Sequence, residues 1–490
     1  MNLKYLVVFC FLSLQAKSAI EKKMSFGDVS FLANSQDVQI STTEGMPEVP
    51  TKVVLLETTS KDFPKVEVEK VWSNQQITLN WFISNGQKCR CREETLKDKK
   101  VVQEYSGNHE IEYVGDYRSK HIFRVKIPLV KIRNGKTTTL KEVVLRSDTA
   151  SSFSTDLEVA ERAILIVLPS EFSEAKNSLI SFYEKKSFSV YFIEDSQTIS
   201  IRENLRKKIK NLHKKNKISH TLFIGDSSLI SPYYLETRFD SVTPSDYPYF
   251  KIGGENDYIP DIIGSRLSIQ SLEQLDGFLK KLNSRELNGP IISIGVSSNE
   301  GANPNDYEYV ESIIGNVSTR NNQIHLNQDN DNSNPYNFLL ALNSGVDFFN
   351  YVGHGSGFSW PSFRSEVRVS DLENWRVTKK NPIILDVACQ NGKFNGRGSI
   401  GETLISGHRK FNFENGASAY VGGSVDISWD PPAIFAQGVS EALGQNPRLS
   451  IGEGVMQGYL HLLEMHSDLE DVIDHLEWTH IQGDPTASIR

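Results

Sequence analysis

Two stretches, FFNYVGHGSG at residues 348–357 and NPIILDVACQNG at residues 381–392, decide how this chain is interpreted. Each is an apolar run that ends at a reactive side chain: His354, between two glycines, and Cys389, before the polar QNG. An α/β sheet places its chemistry at the carboxyl ends of its strands, so both side chains are predicted at one edge of a parallel sheet. A thiol beside an imidazole can attack a carbonyl group. The alternative is a buried free cysteine and an ordinary turn histidine.

The sequence around these stretches alternates between predicted strands and helices from residue 162 onward. Strands are predicted at RAILIVLPS, SVYFIED, TLFIGD, IISIGVSS and GASAYVGG, among others. Helices are predicted after a capping Ser170 at 171–186 and at 272–287, 306–314, 335–342, 432–443 and 453–464. Strands that alternate with helices of this length indicate βαβ units and a parallel sheet, so residues 162–490 are predicted to form an α/β domain.

The first 161 residues show different patterns. Residues 1–19 combine Lys4, a short apolar stretch and small residues up to Ala19, which is typical of a secretory signal peptide. Residues 20–150 contain apolar and alternating runs of strand length without a lasting helical period, and predict a β-rich, sandwich-like domain. The small polar residues that follow, 151–161, are predicted to be a linker. No later segment indicates a membrane span.

Composition limits the classes of partner and compartment. A chain of 490 residues with 38% hydrophobic residues predicts a globular protein of about two or three domains. Its formal charge of −8 gives no electrostatic reason to expect nucleic acid as a partner, and favours basic peptides. Removal of the signal peptide deletes Cys10, and an odd number of remaining cysteines suggests one free thiol. Cys89 and Cys91 could pair with each other or belong to a partial metal site, which leaves Cys389 unpaired.

The segments GHGS and DVACQNG resemble the catalytic segments of the gingipain-type cysteine peptidases, peptidase family C25 of the caspase-like clan. The resemblance extends from about Arg162 to Arg490 and includes the terminal HIQGDPTASIR. It implies a caspase-like parallel-sheet catalytic domain with two halves, about 162–255 and 256–490, and an active site in the second half. It also implies that the β-rich part is an inhibitory, intramolecular propeptide.

The resemblance assigns catalytic roles to several residues. Cys389 would attack the peptide carbonyl and form a thioester, and His354 would protonate the leaving amine and then activate water. The backbone N–H groups of Gly355 and Cys389 would stabilise the oxyanion. Glu300 would hold the His354 ring in orientation. From its sequence position alone, Glu300 is equally well explained as a solvated loop carboxylate.

The resemblance also predicts specificity for a basic side chain. Asp306 aligns with the family's aspartate at the floor of the S1 pocket, where a carboxylate would bind a guanidinium through two hydrogen bonds. Trp429 would cover one wall of the pocket. The sequence position of Asp306 by itself favours a helix N-cap, and the alternative for Trp429 is a core position after a strand. Cleavage after Arg is expected, with Lys as an alternative, because Pro432 and Ala433 replace the family's bulkier pocket residue.

The remaining expectations concern processing, metals and location. Arg146 ends the last predicted strand of the β-rich part, so VVLR–SDTA is predicted to be a self-processing site. No cofactor is required; the resemblance allows structural calcium, but the polar run at 329–334 lacks EF-hand spacing and is predicted to cap the next helix. The signal peptide predicts an extracellular or periplasmic protein. Two alternatives are a catalytically silent adhesin-like binding module and a secretion-system sorting transpeptidase.

Overall fold

The computed structural model describes most of the chain on both sides of the predicted linker. The described residues are 20–26, 38–60, 62–91, 100–117, 119–153, 162–301, 304–376, 378–396, 398–406 and 413–490. The predicted signal peptide, 1–19, and residues 154–161 of the predicted linker lie outside them. None of the described helices is both long and apolar enough to pass through a membrane.

The amino-terminal part is a sandwich of two antiparallel sheets, as predicted. Its strands are β1 (Ile20–Ser25), β2 (Gln39–Ile40), β3 (Pro50–Thr58), β4 (Glu67–Thr78), β5 (Glu110–Tyr117), β6 (Lys120–Pro128), β7 (Val130–Arg133), β8 (Lys136–Ser147) and β9 (Ser151–Ser152). One sheet has the order β1-β8-β4 with β7 on β8, and the other has β2-β3-β6-β5 with β9 on β3. Apolar residues of β3, β6 and β8, such as Leu56, Val125 and Leu145, are buried together between the sheets. Part of the predicted linker is therefore the short strand β9.

The carboxy-terminal part is built on one large sheet. Its strands are β10 (Ala163–Val167), β11 (Ser189–Ile193), β12 (His220–Ile224), β13 (Tyr233–Leu235), β14 (Thr243–Ser245), β15 (Ile263–Leu267), β16 (Ser293–Ser297), β17 (Gln323–His325), β18 (Phe348–Val352), β19 (Ser359–Trp360), β20 (Val367–Arg368), β21 (Ile383–Val387), β22 (Ala419–Gly423) and β23 (Thr479–Gly483). The described strands of the main sheet follow the order β11-β10-β12-β15-β23-β22-β21-β18-β16-β17. Strand β23 is parallel to β15 and antiparallel to β22, so the end of the chain joins the two βα series into one sheet.

Helices cover both faces of this sheet. They are α1 (Lys176–Glu184), α2 (Ser196–Ile199), α3 (Arg202–Asn216), α4 (Tyr247–Phe250), α5 (Leu272–Asn283), α6 (Asp306–Val317), α7 (Pro335–Ser344), α8 (Ile400–Ser406), α9 (Pro431–Gln445), α10 (Ile451–Met465) and α11 (Leu469–Trp478). Alternate residues of β21 face opposite layers, since Ile383 and Leu385 pack with residues of α9 and α10, and Ile384 packs with residues of α5 and α7. A parallel sheet covered on both faces matches the continuous apolar runs in the sequence.

The structure corrects one predicted cap and confirms another. Ser170 does not cap a helix: its hydroxyl group is bonded to the Glu171 carboxylate at 3.3 Å, and a 3₁₀ turn at Ser170–Ala175 precedes α1. The polar run at 329–334 does cap the next helix, because the Asn334 side chain accepts a hydrogen bond from Asn337 N at the start of α7.

A buried ion pair ties β15 to the segment before α4. Arg266 is 1% exposed and its guanidinium donates two hydrogen bonds of 2.7 Å to Asp246. A third guanidinium nitrogen donates to the carbonyl of Gly225 at 3.0 Å, and the ring of Phe394 lies 5.0 Å from the guanidinium carbon. With this pairing, the buried charge is compensated.

We expect Asp246→Asn to lower the free energy of unfolding by about 3–5 kcal/mol, because Arg266 would keep a buried charge without a counter-charge. Urea unfolding followed by circular dichroism measures the change. Glu286→Gln, which removes an exposed pair with Lys379, is the matched control and is expected to cost less than about 1 kcal/mol. Equal losses of unfolding free energy in the two variants would contradict a stabilising role of the buried pair.

Candidate active site

Three neighbouring strands deliver the predicted catalytic residues to one edge of the sheet. Strands β18 and β21 are parallel and in register, with Val352 opposite Val387, so His354 and Cys389 each follow two residues later. Glu300 follows β16, the next strand on the other side of β18. The carboxyl ends of parallel strands share one edge, which explains why residues distant in sequence meet here.

The backbone at Gly355 approaches the backbone of Cys389 so closely that a side chain has no room there. A Cβ atom placed on Gly355 would lie 2.2 Å from the carbonyl oxygen of Cys389. Just after the cysteine, Gln390 adopts a left-handed conformation with φ of 61°, which is uncommon for a residue with a side chain. Strained backbone of this kind is concentrated at functional sites, and here it turns the chain sharply after the thiol.

Asn391 connects the two loops that follow β18 and β21. Its side-chain oxygen accepts a hydrogen bond from Gly357 N at 2.9 Å, and its amide group donates to Asp386 at 3.2 Å. Asp386 is buried, and its carboxylate also accepts hydrogen bonds from Trp360 and Tyr420, both at 2.8 Å. Asp386 therefore has a structural position and helps to fix the end of β21 that carries Cys389.

The His354 ring is held between two hydrogen-bond acceptors. Nε2 donates to Oε1 of Glu300 at 2.8 Å, and Nδ1 donates to the backbone carbonyl of Arg90. A carboxylate and a carbonyl can only accept hydrogen bonds, so both contacts hold the ring in one orientation. The ring of Trp429 lies edge-on to the imidazole, with 5.8 Å between the ring centres.

Arg90, which comes from the β-rich part, occupies the predicted specificity pocket. Its side chain is fully buried and donates to the two carboxylate oxygens of Asp306 at 2.8 and 2.9 Å. Nε donates to the carbonyl of Trp429 at 2.8 Å, and the guanidinium carbon lies 4.6 Å from the centre of the Trp429 ring. Burial alone would lower the pKa of Arg90, but the charge and hydrogen bonds of Asp306 outweigh it and raise the pKa.

Asp306 is available for this contact because another residue caps helix α6. Asn305 is the N-cap, and its side chain accepts a hydrogen bond from Glu308 N at 2.9 Å. The structure thus corrects the N-cap interpretation of Asp306, which is the first residue of the helix and is fully buried. Ser298 also donates to the Asp306 carboxylate, at 2.6 Å, and fixes its position.

The segment around Arg90 lies in an extended pairing with the loop that follows β22. Arg90 N donates to the carbonyl of Ile427 at 3.0 Å, and Cys89 forms a short antiparallel bridge with Ser428. An extended peptide bound by main-chain hydrogen bonds, with one side chain in a pocket, is a common mode of peptide recognition. Arg90 is thus bound as the basic side chain of a peptide ligand would be.

Cys89 and Cys91 form a disulfide on the two sides of Arg90. This pairing resolves the alternatives that the sequence left open. Among the described residues, the one group of potential metal ligands that lies close together is Cys89, Cys91 and Asp426, and two of its members are joined in this disulfide. The structure gives no support to a metal site there. Calcium elsewhere in the chain stays a prediction.

Cys389 is the free cysteine of the described residues, and it is fully buried. It belongs to the same large apolar cluster as Cys89. Burial raises the pKa of the Cys389 thiol to about 12, although a hydrogen bond from Ile427 N at 3.4 Å and the charge of Arg90 lower it. The thiol is therefore neutral in this state.

The carbonyl of Arg90 does not occupy the predicted oxyanion position. It accepts a hydrogen bond from His354, and among the described residues neither Gly355 N nor Cys389 N donates to it. An acyl-transfer site stabilises the oxyanion through such preorganised backbone donors. The Arg90 carbonyl is therefore held at His354 without the backbone contacts that would promote attack on it.

Arg146, the predicted processing site, lies elsewhere, within β8. This strand is paired on both sides, with Glu21 of β1 and Glu67 of β4 opposite Arg146. Its guanidinium is bonded to Glu69 at 3.0 Å and to Glu21 at 3.3 Å. A protease binds an extended, unpaired peptide, so the structure presents Arg90, and not Arg146, to the candidate site.

Sequence reasoning did not identify three residues of this site. Ser298 positions Asp306, and Asp430 is a second, partly buried acid whose charge reaches Arg90. Burial raises the pKa of Asp430, although Arg90 lowers it. The one feature of the sequence that distinguishes Arg90 is its place between two cysteines in QKCRCREE.

Comparison with protein-family models and known proteins gives consistent matches. The model of peptidase family C25 matches residues 159–490. Gingipain R2 of Porphyromonas gingivalis (strain ATCC BAA-308 / W83) is 25% identical over 354 residues, which is 67% of this chain and 46% of gingipain R2. Lys-gingipain W83 of Porphyromonas gingivalis is 24% identical over 327 residues, which is 60% of this chain and 17% of that protein. The chain thus spans less than half the length of the curated relatives it matches.

Solved structures show the same fold. The crystal structure of the Arg-specific cysteine proteinase gingipain R is matched with a TM-score of 0.58 at 20% identity, over 69% of this chain and 80% of that one. The complex of Porphyromonas gingivalis RgpB pro- and mature domains is matched with a TM-score of 0.59 at 20% identity, over 67% and 80%. The α/β part is therefore caspase-like, as predicted.

The burial of Cys389 has a measurable consequence. We expect iodoacetamide to modify Cys389 of the intact chain at pH 8 at least about 100-fold more slowly than an unburied thiol, because only the thiolate reacts. Arg90→Ala opens the pocket and is expected to restore much of the rate. Peptide mapping by mass spectrometry identifies the modified cysteine, and Arg146→Ala is the matched control, with no effect. Rapid alkylation of the unaltered chain would contradict the buried state.

Proposed function

Because the chain belongs to peptidase family C25, we propose that it is a cysteine endopeptidase that hydrolyses peptide bonds after arginine, with lysine as a poorer substrate residue. One observation carries this proposal: an arginine of the chain is bound to Asp306 and Trp429, with its carbonyl beside His354. Relatives named for arginine and for lysine specificity are consistent with a basic residue at this position.

The proposed reaction uses two steps at the strand ends. The Cys389 thiol passes its proton to His354 and attacks the carbonyl carbon of the arginine residue, and His354 gives this proton to the departing amine, so that a thioester forms. Water, deprotonated by His354, then attacks the thioester and releases the free acid. The N–H groups of Gly355 and Cys389 stabilise the oxyanion in both steps. Glu300 keeps the His354 ring in orientation through its 2.8 Å hydrogen bond.

The contacts of Arg90 explain a preference for arginine over lysine. The planar guanidinium donates hydrogen bonds to both carboxylate oxygens of Asp306, and its Nε donates a third to the carbonyl of Trp429. It also lies against the indole face. A lysine ammonium could reach the carboxylate as a point charge, but it has neither the Nε donor nor the flat surface. Lysine would therefore leave the Trp429 carbonyl without this partner.

In the described state the proposed enzyme is latent. The β-rich part acts as an intramolecular propeptide, and its Arg90 fills the pocket that a substrate would need. The match to a complex of pro- and mature domains supports this arrangement. The signal-like amino terminus supports export, to the periplasm or beyond the cell. The substrates are proteins or peptides with an exposed basic residue.

Hydrolysis of fluorogenic peptides tests the proposed activity. We expect Arg90→Ala, in which the pocket is open, to hydrolyse arginine substrates faster than the unaltered chain, and Arg90→Ala/Cys389→Ala to show no turnover. Arg146→Ala is the control for loss of an arginine in the same β-rich part and is expected to behave like the unaltered chain. No hydrolysis by Arg90→Ala would favour a silent binding module. Transfer of the acyl group to an added amine in place of hydrolysis would favour a sorting transpeptidase.

A second experiment tests the role of Asp306. In the Arg90→Ala background, Asp306→Asn is expected to lower kcat/KM for arginine substrates by about 100-fold or more, because a buried cation would lose its counter-charge. Asp430→Asn is the comparison, since Asp430 contributes charge without a hydrogen bond to the guanidinium, and its loss is expected to be smaller. Equal losses from both substitutions, or none from Asp306→Asn, would contradict the assignment of the pocket.

A further inference from the structure

The Cys89–Cys91 disulfide encloses the residue that blocks the pocket. It closes a small covalent ring that contains Arg90 and the peptide bond between Arg90 and Cys91. That bond is the one that the proposed peptidase would cut, because Arg90 fills its specificity pocket and precedes Cys91. The ring is therefore placed across the scissile position of the inhibitory segment.

We propose that this disulfide is a redox latch: it makes the Arg90 segment a stable inhibitor while oxidised, and its reduction by a thiol reductant turns the segment into a cleavable substrate. The proposal rests on the proposed peptidase function. Release of the Arg90 segment would then require reduction of the disulfide as well as cleavage after Arg90, since the intact ring stops the enzyme from removing its own inhibitor.

The first reason is that the ring retains the leaving group. Attack of Cys389 on Arg90 would break the Arg90–Cys91 bond, form a thioester with Arg90 and release the amine of Cys91. In the oxidised segment, this amine stays tethered to the acyl side through the two sulfurs and Cys89. A tethered reactant has a high effective concentration, so the amine would re-form the peptide bond in competition with water.

The second reason is the position of the Arg90 carbonyl. It accepts a hydrogen bond from His354, and among the described residues it receives none from the backbone of Gly355 or Cys389. The ring and the main-chain bonds at Ile427 and Ser428 hold residues on both sides of this carbonyl. Opening the ring frees the Cys91 side, which allows the carbonyl to turn toward the oxyanion donors.

The bridge is within reach of a reductant. Cys91 is partly exposed, whereas Arg90 and Cys89 are buried. Exchange begins when a thiolate attacks a disulfide sulfur and forms a mixed disulfide. With a dithiol, the second thiol of the reductant then displaces the protein sulfur, so that two protein thiols and one reductant disulfide result. No peptide bond is altered in this step.

Comparison of the full chain with Cys89→Ser/Cys91→Ser tests the latch. Mass spectrometry measures scission after Arg90, and an arginine peptide reports activity, each with and without dithiothreitol. We expect dithiothreitol to accelerate scission of the unaltered chain at least about tenfold, since the tether is lost. The double variant is expected to be cut without dithiothreitol, with little further response. Cys389→Ala in the double variant is expected to abolish scission, which shows that the chain cuts itself.

Two results would overturn the latch while leaving the peptidase intact. One is a double variant that stays as uncut as the unaltered chain although Arg90→Ala hydrolyses arginine peptides. The other is equal acceleration of both chains by dithiothreitol, because the reductant would then act on Cys389 alone. Lack of hydrolysis by every variant, Arg90→Ala included, would overturn the peptidase and the latch together. The response of the unaltered chain to dithiothreitol provides a test that needs no substitution at the two cysteines.

Discussion

The contact between Arg90 and Asp306 is the constraint on which the rest of the candidate site depends. Both side chains are fully buried, and they lie 216 positions apart in the sequence. A buried charge that loses its partner is strongly destabilising, so each part of the molecule holds the other in place. The same contact brings the Arg90 carbonyl to His354 and the Cys89 side of the segment into the apolar cluster that contains Cys389.

The strand-end arrangement of the site could be predicted from the sequence because it depends on local patterns. Short apolar runs before His354 and Cys389 specify buried parallel strands. The glycines that follow allow the backbone segments after the two strands to approach each other. The register of β18 and β21 then places both residues at equal distance from the strand ends. Glu300 follows the neighbouring strand and contacts His354. The alternation of strands and helices likewise predicted an α/β domain built on a parallel sheet.

Pairings between distant segments could not be predicted in the same way. Strand β23 is short and polar at several positions, yet it lies in the middle of the main sheet. Its neighbours β15 and β22 are far away in sequence, so local patterns do not predict this position. Arg90 has no periodic pattern around it, and its partners are Ile427, Trp429 and Asp306. Arg146 is a predicted processing site because it ends a strand, and the sequence does not reveal that this strand has neighbours on both sides.

In the proposed enzyme, latency would follow from solvent exclusion, without a rearranged catalytic framework. Cys389 is buried while Arg90 fills the pocket, and burial raises the pKa of the thiol to about 12, so the candidate nucleophile is held in its neutral form. The His354–Glu300 hydrogen bond is already present in this closed state. Entry of water would remove the main cause of the raised pKa while the strand ends stay in register. Two states of the site can therefore share one framework: local sequence patterns specify the framework, and a distant segment of the chain determines which state is populated.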